Sequence, residues 1–181
     1  SGVDSSLLSD MNKDVNRLSV IAERFSKIGS KPEMELIYVN EVLENATEYM
    51  RRRVSDKVLI TTHLPSDAEG AMVCLSLFEW VIENLCKNAV DAMNGEGRID
   101  VYMTSEKQQI YIDIKDTGKG IARKNFKTVF NPGYTTKKRG WGLGLTLAKR
   151  IIEDYHAGRI YVKDSEVGKG TTFRIELTRV V

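Results

Sequence analysis

The stretch ENLCKNAVDAM, residues 83–93, decides how the rest of the chain is read. Around it, Leu75, Phe78, Ile82, Leu85, Ala89 and Ala92 recur at steps of three and four, the core-facing stripe of a helix. A neighbouring stripe, Cys74, Leu77, Val81, Asn84, Asn88 and Asp91, begins apolar and turns polar halfway along. Glu79, Glu83, Lys87 and Asn94 fall on the solvent face, where Glu83 and Lys87 are spaced as a surface ion pair. The pattern predicts a helix from just after Pro65, opened by Ser66-Asp67-Ala68-Glu69 as a capping box and stopped at Asn94-Gly95. Polar groups drawn partly out of water need partners, and an unsatisfied one costs about 1–3 kcal/mol. Asn84, Asn88 and Asp91 in line therefore fit either a bound polar ligand or an Asn-rich helix end left in solvent.

The 181 residues suit one domain with an appendage, and a hydrophobic content of 41% is enough for a proper core. A net charge of +2 gives no global pull towards nucleic acid or a membrane surface, and no nucleic-acid partner is expected. The longest apolar run, Ala71 to Ile82, is broken by Ser76 and Glu79 and is too short to span a bilayer. No signal-peptide pattern is visible. Cys74 and Cys86 form no CxxC pair and no His/Cys cluster marks zinc, so two free thiols in a reducing, cytoplasmic compartment are expected.

From Leu8 the apolar positions run Leu8, Met11, Val15, Leu18, Ala22 and Phe25, a heptad seam widened by Leu7, Ile21 and Ile28. Such a helix cannot bury its seam alone and needs a partner helix. Gly29-Ser30-Lys31-Pro32 ends it as a hinge. Met34–Val39 reads as a strand, and Asn40 caps a helix through about Arg53 whose Arg51-Arg52-Arg53 end is solvated. Lys57–Thr62 is a strand followed by a structural or surface His63. Gly97–Thr104 and Gln109–Lys115 make a hairpin, with Ile110, Ile112 and Ile114 on one face. Residues 121–142 have little periodicity and are too long for a simple connection, as functional lids or disordered loops are. Leu143–Tyr155 is helical, and Arg159–Lys163 and Thr171–Leu177 are the closing strands.

Three glycine-bearing segments follow the polar helix: Asp116-Thr117-Gly118-Lys119-Gly120, Gly140-x-Gly142-x-Gly144 and Gly168-Lys169-Gly170. The second opens directly onto a helix, and its backbone N–H groups suit an anion, with Lys137, Lys138 and Arg139 just before it. It is neither a Walker loop nor a Rossmann turn.

In this order, ENLCKNAVDAM, DTGKG, FKTVFNPGYTTKKRGWGLGL and GKGTTF resemble the N box, the F box and the three glycine boxes of the sensor histidine kinases. These belong to the GHKL ATPases, which also include DNA gyrase, the Hsp90 chaperones and MutL. The resemblance covers roughly residues 34–177. It implies the Bergerat fold, a two-layer α/β sandwich with a mixed sheet, with ATP held between the helices and a mobile lid.

The resemblance also implies roles. Asn88 would bind the Mg²⁺ that bridges the phosphates, an amide oxygen being a suitable hard ligand, and Asn84 would line the same pocket beside Asp91. Asp116 would accept the exocyclic amine of adenine, with Gly118 and Gly120 letting the backbone approach the base. Gly140, Gly142, Leu143, Gly144 and Leu145 would hold the phosphates. Lys137, with Lys138 or Arg139 as alternates, would neutralise charge on the γ-phosphate. Thr171 and Thr172 would close the base end, and Tyr134, with Phe130 and Thr135, would lie where the lid meets the body. ATP-hydrolysing relatives keep a Glu four residues before the Mg²⁺-binding Asn, where this chain has Asn84. Transfer to an acceptor is therefore expected in place of hydrolysis.

Histidine kinases carry the acceptor in an H box, His-Glu/Asp-x-x-x-Pro. His63 is followed by Leu-Pro and His156 by Ala-Gly, and neither fits. Residues 1–30 are accordingly expected to be the second helix of a dimerisation hairpin whose acceptor lies upstream, and residues 31–181 the catalytic ATP-binding domain. The expected partners are ATP, that hairpin, a response-regulator receiver domain and, in the intact protein, a second copy; any membrane anchor would also lie upstream. The alternative is a non-catalytic nucleotide-sensing scaffold that acts through its coiled-coil helix.

Overall fold

The computed structural model describes residues 32–136 and 142–180. The heptad segment, and with it the expected hairpin helix of residues 1–30, lies outside the described residues. From Met34 onward the chain forms one compact unit.

The strands are β1 (Glu35–Tyr38), β2 (Val58–His63), β3 (Gly70–Val73), β4 (Gly97–Glu106), β5 (Gln109–Asp116), β6 (Arg159–Glu166) and β7 (Gly170–Thr178). The helices are α1 (Val39–Arg51), α2 (Leu75–Ala92) and α3 (Gly144–Arg150), the last running into a π-helical turn at Ile151–Tyr155. Five strands build one mixed sheet in the order β2-β4-β5-β7-β6, parallel only between β2 and β4. β1 and β3 pair antiparallel in a separate ribbon.

Strand alternation puts Ile99, Val101, Ile110, Ile112, Ile114, Phe173, Ile175 and Leu177 on one face of the sheet, all buried. Phe78, Ile82, Leu85 and Ala89 of α2 and Ile151 and Ile152 after α3 complete that core. The opposite face carries Arg98, Tyr102, Lys115 and Lys163, all exposed, so the architecture is a two-layer α/β sandwich with a mixed sheet. On that open face burial opposes ionisation of Asp113, but Arg174 at 2.6 Å and Lys163 at 2.6 Å outweigh it and hold its carboxyl below the usual range.

Several local expectations are corrected. The helix does not begin after Pro65, because residues 70–73 are strand β3. Ala71 and Val73 are buried while Met72 is 44% exposed, a period-two pattern that pairs with β1. Glu69, read as the capping partner, is instead buried, accepting a hydrogen bond from Ser105 Oγ at 2.7 Å and pairing with Arg179. α2 starts after Cys74 without a side-chain cap, and Leu75 lies at the surface. Asn40 is not a cap either: α1 begins at Val39, and Asn40 Oδ1 accepts from the Glu69 N–H at 3.3 Å. Arg51 is less solvated than its place in an Arg run suggests. Its Nε donates to the Ile60 carbonyl of β2 at 3.0 Å, and its Nη1 pairs with Glu44 and Glu48. The hairpin β4–β5 forms as expected, turning at Lys107 with φ 55°.

Candidate functional site

The turn after β5 and the start of α3 both meet the C-terminal half of α2. Its termination begins this geometry: Asn94 and Gly95 both take positive φ (54° and 78°), as the dipeptide predicts. Asn84 and Asn88 are half-buried on the flank of α2, and Asp91, nearer the end, is exposed. Asn84 Nδ2 is buried with no hydrogen-bond partner among the described residues. The Asn84 amide abuts Gly144, where a Cβ would lie 2.6 Å from Asn84 Oδ1. Glu83 faces away and pairs with Lys87 at 3.8 Å.

The second element is the turn after β5. Asp116 is 3% exposed, and its Oδ1 accepts from the Gly118 N–H at 2.8 Å. Burial pushes its carboxyl above the ordinary range, and the N–H groups of Gly118 and Thr171 partly offset this. The turn is clamped to α2, because the Lys119 N–H donates to the Ala92 carbonyl at 2.9 Å. It is clamped equally to the β6–β7 turn, where the Gly168 N–H donates to the Lys119 carbonyl at 2.8 Å. A Cβ at Gly118 would lie 2.7 Å from Ala92 backbone, and one at Gly120 (φ 72°) only 2.1 Å from the Glu166 carbonyl oxygen. These glycines are thus required by close backbone packing that the sequence pattern does not disclose.

Thr171 is buried beside Asp116, with its Oγ1 2.9 Å from Ser165 Oγ. Thr172 alternates to the opposite side of β7, so the strand brings only one of the two threonine side chains to Asp116. Ser165 is a residue that sequence reasoning missed. Its Oγ also accepts from the Ile121 N–H at 2.7 Å and donates to the Gly170 carbonyl at 2.8 Å, joining both glycine turns. No motif marks it.

The third element is the segment from Ile121 to Leu145. Its first half is more regular than the expected long loop, with 3-10 turns at Arg123–Asn125 and Thr128–Phe130. Phe130 is buried, edge-on to Phe173 at 6.1 Å, and its carbonyl accepts from Thr146 Oγ1 at 2.9 Å. Tyr134 is half-buried and Thr135 exposed, while Leu143 and Leu145 are half-buried at the start of α3. The Gly133 N–H donates to the Gly142 carbonyl at 3.1 Å, and a Cβ on Gly142 (φ 62°) would lie 2.5 Å from Gly133. Lys137, Lys138, Arg139 and Gly140 lie outside the described residues.

Both histidines have structural partners. His63 stacks on Tyr102 with ring centroids 4.3 Å apart. His156 is buried, its Nε2 accepting from the Cys74 N–H at 3.1 Å and its Nδ1 donating to the Ile151 carbonyl at 2.7 Å.

A buried carboxylate and an unpartnered buried amide fit the nucleotide site that the GHKL resemblance implies. The chain belongs to the histidine kinase-, DNA gyrase B- and HSP90-like ATPase family, whose pattern matches residues 75–180. Within it the relatives are sensor histidine kinases, and the matched region is their catalytic ATPase domain. Sporulation kinase A of Bacillus subtilis is 40% identical over 99 residues, covering 55% of this chain and 16% of that kinase. The chain thus spans about a sixth of that relative's length. Two solved structures share the fold. Full-length ShkA in complex with AMPPNP superposes with a TM-score of 0.81 at 21% identity, covering 100% of this chain and 40% of ShkA. Histidine kinase ThkA in complex with the response regulator TrrA superposes with a TM-score of 0.79 at 19% identity, covering 99% of this chain and 53% of that one. Among the described residues no helix is long and apolar enough to cross a membrane.

Proposed function

We propose that this chain binds Mg-ATP and transfers the γ-phosphoryl group to a histidine on the dimerisation hairpin of a two-component sensor kinase, for relay to a response-regulator aspartate. The observation that carries this reading is the buried Asp116 carboxylate, docked through the Gly118–Gly120 turn onto the helix that bears Asn84 and Asn88. Its shell leaves an acceptor suited to the exocyclic amine of adenine, which a guanine carbonyl could not satisfy. Gly118, Gly120 and Thr171 would hold that end of the pocket in shape, with Asp91 beside Asn84 and with Tyr134 and Thr135 where the lid meets the body.

Asn88 would hold Mg²⁺ through its amide oxygen, with waters and phosphate oxygens as the other ligands. The bound ion would supply charge neutralisation between the phosphates. The unpartnered Asn84 Nδ2, on an amide packed against Gly144, would gain a partner from a bound polar ligand. Lys137, with Lys138 and Arg139, would place positive charge against the γ-phosphate, and Gly140 would continue the same backbone cradle. Asn84 stands where hydrolysing relatives keep a Glu, and an amide cannot take a proton from water near neutral pH. The chain's residues therefore favour transfer, which depends mainly on positioning and charge stabilisation.

The partners in this reading are ATP, the acceptor hairpin, a receiver domain and a second copy of the intact protein, working in the cytoplasm. The complexes of ShkA with AMPPNP and of ThkA with TrrA support it by likeness of fold. The test is incubation with labelled ATP, Mg²⁺ and a supplied acceptor hairpin. Acid-labile phosphate should appear on the hairpin and fall at least a hundredfold, about 2.7 kcal/mol in the barrier, with Asn88→Ala. Transfer that survives Asn88→Ala, or never occurs, would return the scaffold reading.

A further inference from the structure

Lys119 lies between the two motif glycines of the turn after β5, a position that the motif itself leaves open. Its backbone is held on both sides, by Ala92 of α2 and by Gly168 of the β6–β7 turn. Neither flanking glycine can acquire a Cβ without striking backbone within 2.7 Å. The root of the side chain is therefore fixed, and only the Lys119 arm is free to move. That arm reaches across 17 residues of sequence, and its Nζ donates to Thr136 Oγ1 at 2.7 Å.

Thr136 belongs to a segment with a fixed base. Gly133 and Gly142 meet at 3.1 Å through a backbone hydrogen bond, with no room for a Cβ on Gly142. The Tyr134 N–H is bonded to the Asn131 carbonyl at 3.1 Å, and Phe130 beneath is buried. Beyond that base, Thr135 and Thr136 are exposed. The Lys119 ammonium thus supplies a second hold on residues 134–136, applied from the turn that carries Asp116.

We propose that Lys119 is a positioning residue that acts through the Thr136 hydroxyl, holding residues 134–136 against the Asp116 turn so that the adenine end and the phosphate end of one nucleotide are set together. The proposal rests on the ATP-binding reading above. A bond of this kind, with an ionised donor and exposed to solvent, fits a few-fold effect on affinity. The effect belongs to the phosphate-bearing part of the ligand, because Asp116 and its clamps are untouched by the change.

The test is calorimetric titration of the 181-residue chain with ATP and with adenosine, using Lys119→Met, Thr136→Val, Thr136→Ser and the Lys119→Met/Thr136→Val pair. ATP affinity should fall about three- to tenfold in each single valine or methionine variant. It should fall no further in the pair and should be restored by Thr136→Ser, with adenosine affinity constant throughout. Thr136→Val binding ATP like the wild type, or the two losses multiplying in the pair, would overturn the proposal and assign any Lys119 effect to its charge alone. Equal losses for adenosine would overturn it too, by placing the fault in the base pocket. Wild-type chain that binds no ATP would instead defeat the nucleotide reading itself, a separate result.

Discussion

Asp116 combines deep burial with two backbone donors, so its environment pulls in both directions. Burial prevails and raises its carboxyl above the ordinary range, although Gly118 and Thr171 donate to it. The ionised carboxylate is the stronger acceptor, and proton uptake turns one of its oxygens into a donor that opposes the adenine amine. Adenosine affinity should therefore weaken as pH falls, with a midpoint above the ordinary Asp value of about 3.9. Adenosine is the better probe because no phosphate titrates with it. Calorimetry on the acid side of neutrality should show the wild-type affinity falling with pH, and Asp116→Asn should be weak and flat across the range. At this scale the motif residues were legible, but the reasons for some of them were not. Gly118 and Gly120 were expected to let backbone approach a base, whereas the nearest obstacles to a Cβ are Ala92 and Glu166. Ser165 was invisible, because a single hydroxyl joining Ile121 to Gly170 and Thr171 leaves no sequence pattern.

Helix α2 was legible in its C-terminal half and misread at its start. Ser66-Asp67-Ala68-Glu69 has capping-box spacing, yet local propensity lost to the pairing of Gly70–Val73 with β1. A four-residue apolar run cannot be told from a helix start by periodicity alone. What organises the true start is His156, 82 residues away, whose Nε2 accepts the Cys74 N–H. Burial depresses the His156 pKa, and the bond from Nδ1 to the Ile151 carbonyl only partly offsets that. The unfolded chain therefore takes up this proton first as pH falls below about 6.5, and stability drops until the lower folded value is reached. Urea melts should show this acid loss, at most about 1.4 kcal/mol per pH unit from this group. His156→Gln should flatten the dependence in that window whatever its absolute stability, and an unchanged slope would show that other groups cause it. The same contact joins the turn after α3 to the front of α2, so two elements of the site share one stabilising bond.

For the molecule as a whole, five ordered motifs made the two-layer sandwich readable, because each motif sits where a strand or helix ends. The sheet order β2-β4-β5-β7-β6 was not readable, since pairing partners are chosen by tertiary packing. The separate β1–β3 ribbon escaped notice for the same reason. The whole arrangement binds the turn that carries Asp116 to the end of α2 and sets Gly144 of α3 against Asn84, the two ends of the proposed nucleotide site. Titration of ATP and GTP into the chain, with and without Mg²⁺ and beside Asp116→Asn, tests this most directly. The expected result is binding that favours ATP over GTP, strengthens with Mg²⁺ and is lost in the variant. Equal affinity for ATP and GTP, or ATP binding that survives Asp116→Asn, would contradict it.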